Sequence, residues 1–309
     1  MMRLVFMVTG EISEPTFASA LAGEHEVVGL VTQPDRPVGR KQVLTAPRVK
    51  EMALEAGLPV IQPESVREEE ALQQIRDWAP EVIVVMAYGQ ILPQALIDIP
   101  SRAIINLHAS LLPKYRGASC IQGALREGDA ETGWSVIHVV KKLDAGNVLL
   151  QQPFKILEGE TGGALHNRLA LAGPAACEAA LTRLANGPVE GEPQDEALQT
   201  YAPKLGRKDG YLDWSQSATN IERLVRAFDP WPGTSTELAG KRLKIFPPIA
   251  IGMGSGSPGS LIENEDGLIE IACGEGSLIL SEVQLEGSRR MAAAELARGH
   301  QESLQAGLG

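Results

Sequence analysis

Glu81-Val82-Ile83-Val84-Val85-Met86-Ala87 decides the fold. Its central run is apolar on both faces, as a strand must be when helices cover it above and below. Working outward, Arg3–Val8, 26–33, 59–61, Ala103–His108 and 134–140 are further β-branched or apolar runs. Amphipathic stretches at 48–56 and 64–78 lie between them, closed by Gly57 and Pro80. Strands alternating with helices predict an α/β fold built on a doubly wound, mostly parallel sheet. Ligands of such sheets gather at the carboxyl ends of the strands. The first strand runs into Phe6-Met7-Val8-Thr9-Gly10-Glu11 without a G-x-G-x-x-G turn, so no dinucleotide cofactor is expected.

A long helix over 161–185, with Thr161 as N-cap and Gly187-Pro188 as stop, closes a first domain spanning 1–187. Residues 188–205 are polar, carry prolines and read as a linker. From 206 to 309 the pattern changes. One helix (218–228) precedes short strands punctuated by Ala239-Gly240, Glu265-Asp266-Gly267 and Gly274-Glu275-Gly276. Residues 268–273 and 278–283 look like hairpin strands, and a small antiparallel, OB-like β-barrel is the natural architecture.

The 309 residues are 44% hydrophobic, 22% charged and only 4% aromatic, which excludes wholesale disorder and collagen-like repetition. The longest apolar stretch, 82–88, is far short of the ~20 residues of a membrane-spanning helix. Met1-Met2-Arg3 leads straight into a strand rather than a secretory leader. Cys120, Cys177 and Cys273 have neither a disulfide-framework pattern nor zinc spacing. A cytoplasmic protein without metal is expected. The net charge of −11 argues against a general nucleic-acid coat, but the field that matters for a polyanion is local. Arg36, Arg40, Lys41, Arg48 and Lys50 form such a local basic cluster, which taken alone reads as ordinary solvated charge.

The chemistry lies in Ile105-Asn106-Leu107-His108-Ala109. Asn106 and His108 are two apart at the end of a strand, so their side chains share one face and aim at one small volume. An amide and an imidazole can both donate to an oxygen gaining charge, and the imidazole moves protons near neutral pH. Asp144, in the loop Lys142-Leu143-Asp144-Ala145-Gly146, would hold the imidazole charged or relay a proton. Spacing alone leaves dull alternatives open: a polar pair at a strand end is commonly structural, and an Asp near a glycine is commonly a turn residue. His138, flanked on its face by Val136 and Val140, reads as a buried structural histidine.

The stretch Asn106-Leu107-His108-Ala109-Ser110-Leu111-Leu112-Pro113-Lys114-Tyr115-Arg116-Gly117 resembles the signature of the folate-dependent formyltransferases. So do Thr32-Gln33-Pro34-Asp35-Arg36-Pro37-Val38-Gly39-Arg40, Ala87-Tyr88-Gly89-Gln90-Ile91-Leu92-Pro93 and Gly128-Asp129-Ala130-Glu131-Thr132-Gly133. Ile221-Glu222-Arg223, Arg226-Ala227-Phe228-Asp229-Pro230-Trp231-Pro232-Gly233, Arg290-Met291 and Arg298-Gly299-His300 are similar to the branch that acts on aminoacylated tRNA. The resemblance implies transfer of a formyl group from 10-formyltetrahydrofolate to the methionine amino group of initiator methionyl-tRNA. It implies catalysis by Asn106, His108 and Asp144. It implies folate contacts at Ser110, Leu111, Leu112 and Pro113, and a pterin pocket near Tyr88, Gly89, Gln90, Ile91 and Leu92. The basic cluster Arg36, Arg40, Lys41, Arg48 and Lys50 becomes the implied tRNA contact, and a monomer the implied state. The chain departs from the family pattern in an acidic loop at 9–15 and at Val140, Lys141 and Lys142 before Asp144. Two other readings stay open: a formyltransferase for an amino-sugar nucleotide, and a folate- or RNA-binding relative without catalysis.

Overall fold

The computed structural model describes residues 1–39, 41–262 and 268–309. By packing they form two compact units: Met1–Gly117 with Thr132–Lys155 and His166–Tyr201, and Ala118–Glu131 with Ile156–Leu165 and Ala202–Gly309. The chain opens with β1 (Arg3–Val8), α1 (Glu14–Ala22) and β2 (Glu26–Val31). A short hairpin, β3 (Arg36–Val38) and β4 (Val43–Thr45), leads to α2 (Arg48–Glu55), β5 (Val60–Ile61) and α3 (Glu69–Asp77). Then come β6 (Val82–Met86), α4 (Gln94–Ile97), β7 (Ala103–His108), α5 (Cys120–Glu127), β8 (Glu131–His138), β9 (Val148–Lys155) and α6 (Gly162–Ala185).

Seven strands make one sheet in the order β5-β2-β1-β6-β7-β8-β9. The first five run parallel, and β8 is antiparallel to β7. The sheet is thus mostly parallel, as the alternation of patterns requires. Every residue of β6 is buried between β1 and β7. Val5, Met7, Ile83, Leu72, Ile75 and Leu96 are among the buried side chains of one core cluster. Gly29 in β2 makes room for the Trp78 ring, which a Cβ there would meet at 2.6 Å. The stretch expected to be helical from 64 turns helical only at Glu69; ahead of it the Val66 N–H donates to Gln90 Oε1 at 2.8 Å.

The second unit contains α7 (Ala218–Ala227), β10 (Thr234–Leu238), β11 (Lys241–Gly252), β12 (Leu261–Ile262), β13 (Ile269–Ala272), β14 (Ser277–Leu285), β15 (Met291–Ala292) and α8 (Ala293–Gln305). Its six strands pair antiparallel in the order β10-β11-β14-β13-β12, with β15 on β14, a half-barrel sheet consistent with the small antiparallel barrel expected. Ser217 caps α7 by accepting from the Asn220 N–H, and Ile221 and Val225 face a core with Trp214, Leu243, Ile271 and Leu278. The turn at Glu265-Asp266-Gly267 lies outside the described residues.

The packed units interleave along the chain, whereas the spans 1–187, 188–205 and 206–309 are contiguous. Helix α5 packs on α7: the Arg126 guanidinium lies 5.8 Å from the Phe228 ring centroid, and Arg223 Nη1 donates to the Glu127 carbonyl at 3.3 Å. Among the described residues, no helix is long and apolar enough to cross a membrane. None of their His, Cys, Asp and Glu side chains form a group of three or more able to hold a metal ion.

Candidate functional site

Strand β7 ends the parallel part of the sheet, with Asn106 opposite Val85 of β6 and Ile137 of β8. Asn106 and His108 do project to one side, and Asp144 meets them both. Asn106 Nδ2 donates to Asp144 Oδ1 at 3.4 Å, and His108 Nδ1 lies 3.7 Å from Asp144 Oδ2. The imidazole is buried, and its Nε2 sits 2.8 Å from the Tyr115 carbonyl oxygen. A carbonyl can only accept, so Nε2 carries a hydrogen and Nδ1 is the nitrogen turned to the carboxylate. The Gly117 N–H donates to Asp144 Oδ2 at 2.8 Å. Asp144 itself has φ +49°, in a left-handed region costing about 1–2 kcal/mol for most residues and least for Asp and Asn. Two residues on, Gly146 is forced by space: a Cβ there would lie 1.7 Å from the His138 carbonyl oxygen.

The loop after β7 is tightly bonded. Ser110 Oγ donates to the Lys114 carbonyl at 2.7 Å, and the Ser110 carbonyl accepts from Ser135 Oγ at 2.7 Å. The Leu112 N–H donates to Ser135 Oγ, and its carbonyl accepts from Gln151 Nε2 at 2.8 Å. Leu111 packs beside Gly133, and the Leu112–Pro113 peptide is cis.

Residues 88–92 leave β6 next to this loop. Tyr88 is buried in the core; its hydroxyl finds no partner among the described residues, and burial pushes its pKa up. The Gln33 amide nitrogen, also buried and unpartnered among them, lies 4.0 Å from where a Cβ on Gly89 would stand. Gln90 turns away to the Val66 N–H and the Pro63 carbonyl, Leu92 packs on the core, and Ile91 is 70% exposed.

The basic segment divides into two parts. Arg36 and Lys41 are exposed on or beside the β3–β4 hairpin, where Val38, Val43 and Leu44 are exposed as well. Arg48 pairs with Glu51 at 2.7 Å and lies 3.7 Å from Glu55, and Lys50 is held by Asp35 at 2.8 Å. The Lys50 and Gln62 hydrogen bonds keep the Asp35 carboxyl below its usual range. Arg40 lies outside the described residues.

Sequence reasoning missed the residues that tie these loops together. Arg116, only 3% exposed, donates to Gln194 Oε1, to Gln199 Oε1 at 2.6 Å and to Glu196 Oε1 at 2.9 Å. Lys142 also reaches Glu196, and the two cations hold the Glu196 carboxyl down at about 2. His138, expected to be buried, is half-buried and contacts the Val189 carbonyl oxygen at 2.6 Å. The available signal was compositional: 188–205 is rich in Gln and Glu rather than in the Gly and Ser of a free tether.

Residues 2–181 match the formyl transferase family and residues 204–301 the formyl transferase C-terminal domain. The methionyl-tRNA formyltransferase of Akkermansia muciniphila is 49% identical over 306 residues, covering 97% of each chain. That of Pseudomonas paraeruginosa is 47% identical over 307 residues, covering 99% of this chain and 98% of its own. Among solved structures, an N-formyltransferase from Helicobacter canadensis in complex with folinic acid and dTDP-3-aminofucose superposes with a TM-score of 0.68 at 16% identity, covering 94% of this chain and 100% of that one. HypX from Aquifex aeolicus in complex with tetrahydrofolic acid gives 0.64 at 17% identity, covering 98% of this chain and 48% of that one. At such identities the structures share the fold.

Proposed function

The chain belongs to the formyl transferase family, and on that footing we infer that it transfers a formyl group from 10-formyltetrahydrofolate to the methionine amino group of initiator methionyl-tRNA, for translation initiation. The observation that carries this reading is likeness to methionyl-tRNA formyltransferases at 42–49% identity over nearly the full chain. The enzyme is read as a cytoplasmic monomer, with formyl transfer in 1–187, a linker at 188–205 and tRNA binding in 206–309.

Folate is assigned to Tyr88, Gly89, Gln90, Ile91 and Leu92 together with Ser110, Leu111, Leu112 and Pro113. These residues fit a pterin: among the described residues the buried Gln33 amide nitrogen beside Gly89 has no partner, and both segments leave the sheet from adjacent strands. The bound folate supplies an electrophilic formyl carbon. Asn106 Nδ2 donates to the formyl oxygen as it gains charge, such a donor contributing about 3–4 kcal/mol in comparable sites. A protonated His108, its Nε2 bonded to the Tyr115 carbonyl and its Nδ1 facing Asp144, sets a positive charge beside that oxygen. Asp144 faces both groups, is the partner an imidazolium requires, and passes the amine proton towards the departing folate nitrogen. An α-amino group has a reference pKa of ~8, so much of it is nucleophilic without further activation. The route therefore needs no metal and no covalent enzyme intermediate. Arg36, Arg40, Lys41, Arg48 and Lys50 are assigned to tRNA phosphates, a contact that weakens with salt.

The test is a formyl-transfer assay with 10-formyltetrahydrofolate. It offers initiator methionyl-tRNA, an elongator methionyl-tRNA and an amino-sugar nucleotide side by side. Transfer to the initiator species alone is expected. Transfer to the sugar would overturn the tRNA assignment, and transfer to none would favour a relative without catalysis.

A further inference from the structure

The stretch that reads as a linker is pinned along the loops of the site. Val148 and Glu192 exchange two backbone hydrogen bonds of 2.7 and 2.8 Å. Further on, the Arg116 N–H donates to the Thr200 carbonyl at 2.9 Å and the Tyr115 N–H to Thr200 Oγ1 at 2.8 Å. Between these two anchors sits the side chain of Gln194. Its Nε2 donates to the carbonyls of Asp144 and Gly146 at 2.7 and 2.8 Å. Its Oε1 accepts from Arg116 Nε and Nη2 at 3.0 and 2.8 Å. Both donors and both lone pairs of the amide are thus used.

Those four bonds join two pieces of backbone that converge on one carboxylate. Arg116 directly precedes Gly117, whose N–H holds Asp144 Oδ2. Asp144 has φ +49°, so the direction of its side chain depends on a backbone conformation that other contacts must maintain. One of the two carbonyls Gln194 grips belongs to Asp144 itself. We propose that Gln194 is a positioning residue for formyl transfer: it fixes the turn at Asp144 and thereby the placement of that carboxylate against Asn106 and His108. This rests on the catalytic reading of Asp144. Only an amide of this length serves both sides. Glutamate keeps the Arg116 contact but sets an oxygen against two carbonyl oxygens, and methionine keeps the length but neither bonds donors nor acceptors strongly.

The test compares Gln194→Glu, Gln194→Met, Asp144→Asn and Gln199→Ala by saturating steady-state kinetics and melting temperature. Asp144→Asn is expected to lower kcat at least a hundredfold. Both Gln194 variants should lower kcat at least tenfold while KM for 10-formyltetrahydrofolate and for methionyl-tRNA stays within twofold. Gln199→Ala loses one bond to Arg116 and none to the Asp144 turn, and should keep kcat within twofold. The two Gln194 substitutions bracket the folding risk, since one retains the Arg116 contact and the other the neutrality. A melting temperature that falls while kcat holds marks a merely structural role and overturns the proposal, as does a Gln199→Ala loss of equal size. Normal turnover in Asp144→Asn would instead remove the catalytic reading itself, a separate failure.

Discussion

The cluster around Asp144 and the basic segment 36–50 are built on opposite principles. Around Asp144, buried groups are bonded several times over: the carboxylate meets Asn106, His108 and the Gly117 N–H, and the loops carrying them are cross-tied by Ser135, Gln151 and Arg116. In the basic segment, Arg36 and Lys41 stand in solvent on a hairpin whose three-residue strands are exposed throughout. A group of two heavy atoms moving between nitrogens tolerates misplacement of only a fraction of an ångström. Phosphates are held by charge at a distance and forgive mobile side chains. Under the proposed function, rigidity and looseness are thus allotted by the size and charge of what each region is assigned to meet.

The contrast breaks most visibly at the amide and the imidazole. Asn106→Ala and His108→Ala should each cut kcat at least a hundredfold with KM for tRNA within about twofold, read by steady-state kinetics. Near-normal turnover in either would mean that the buried cluster is scaffold only. Gly146→Ala comes next, since its Cβ would collide with the His138 carbonyl and the turn must shift. Roughly tenfold lower kcat and a melting temperature several degrees down are expected. On the loose side, Arg36→Ala and Lys41→Ala should raise KM for tRNA about threefold each and flatten its dependence on salt. Lys50→Ala should move KM less, because its ammonium is already held by Asp35; equal effects would erase the division within the segment. The smallest effect concerns acid. The Glu196 carboxyl is held down at about 2 from 4.5, so its contribution is full above pH 4.5 and is lost as pH falls towards 2. Melting curves of Glu196→Gln across that window should fall less steeply than those of the unaltered protein.

Periodicity and β-branched runs made the parallel sheet legible, because each strand announces itself within a few residues, as 82–86 does. The shared face of Asn106 and His108 followed from strand geometry alone. Asp144 was legible as a loop residue, whereas its contact with that face depends on residues 38 positions apart in the chain. The ties from Arg116 to Gln194 span 78 positions and carry no periodic signal. The three-residue strands of the hairpin are too short for one. The packing of α5 with α7 was equally hidden, since an amphipathic helix shows that it has a buried face without showing against what.

The pinned stretch also bears on how such a chain can be inherited in pieces. A recombination or fusion joint placed at the natural end of the long helix, near 187, would separate the Asp144 turn from the strand of residues that braces it at 192–200. The smallest portion that carries its own bracing runs at least to Tyr201. A new C-terminal partner grafted after that point keeps the amide at 194 but must still cover α5, which packs on α7, whereas one grafted earlier must also supply an amide of its own.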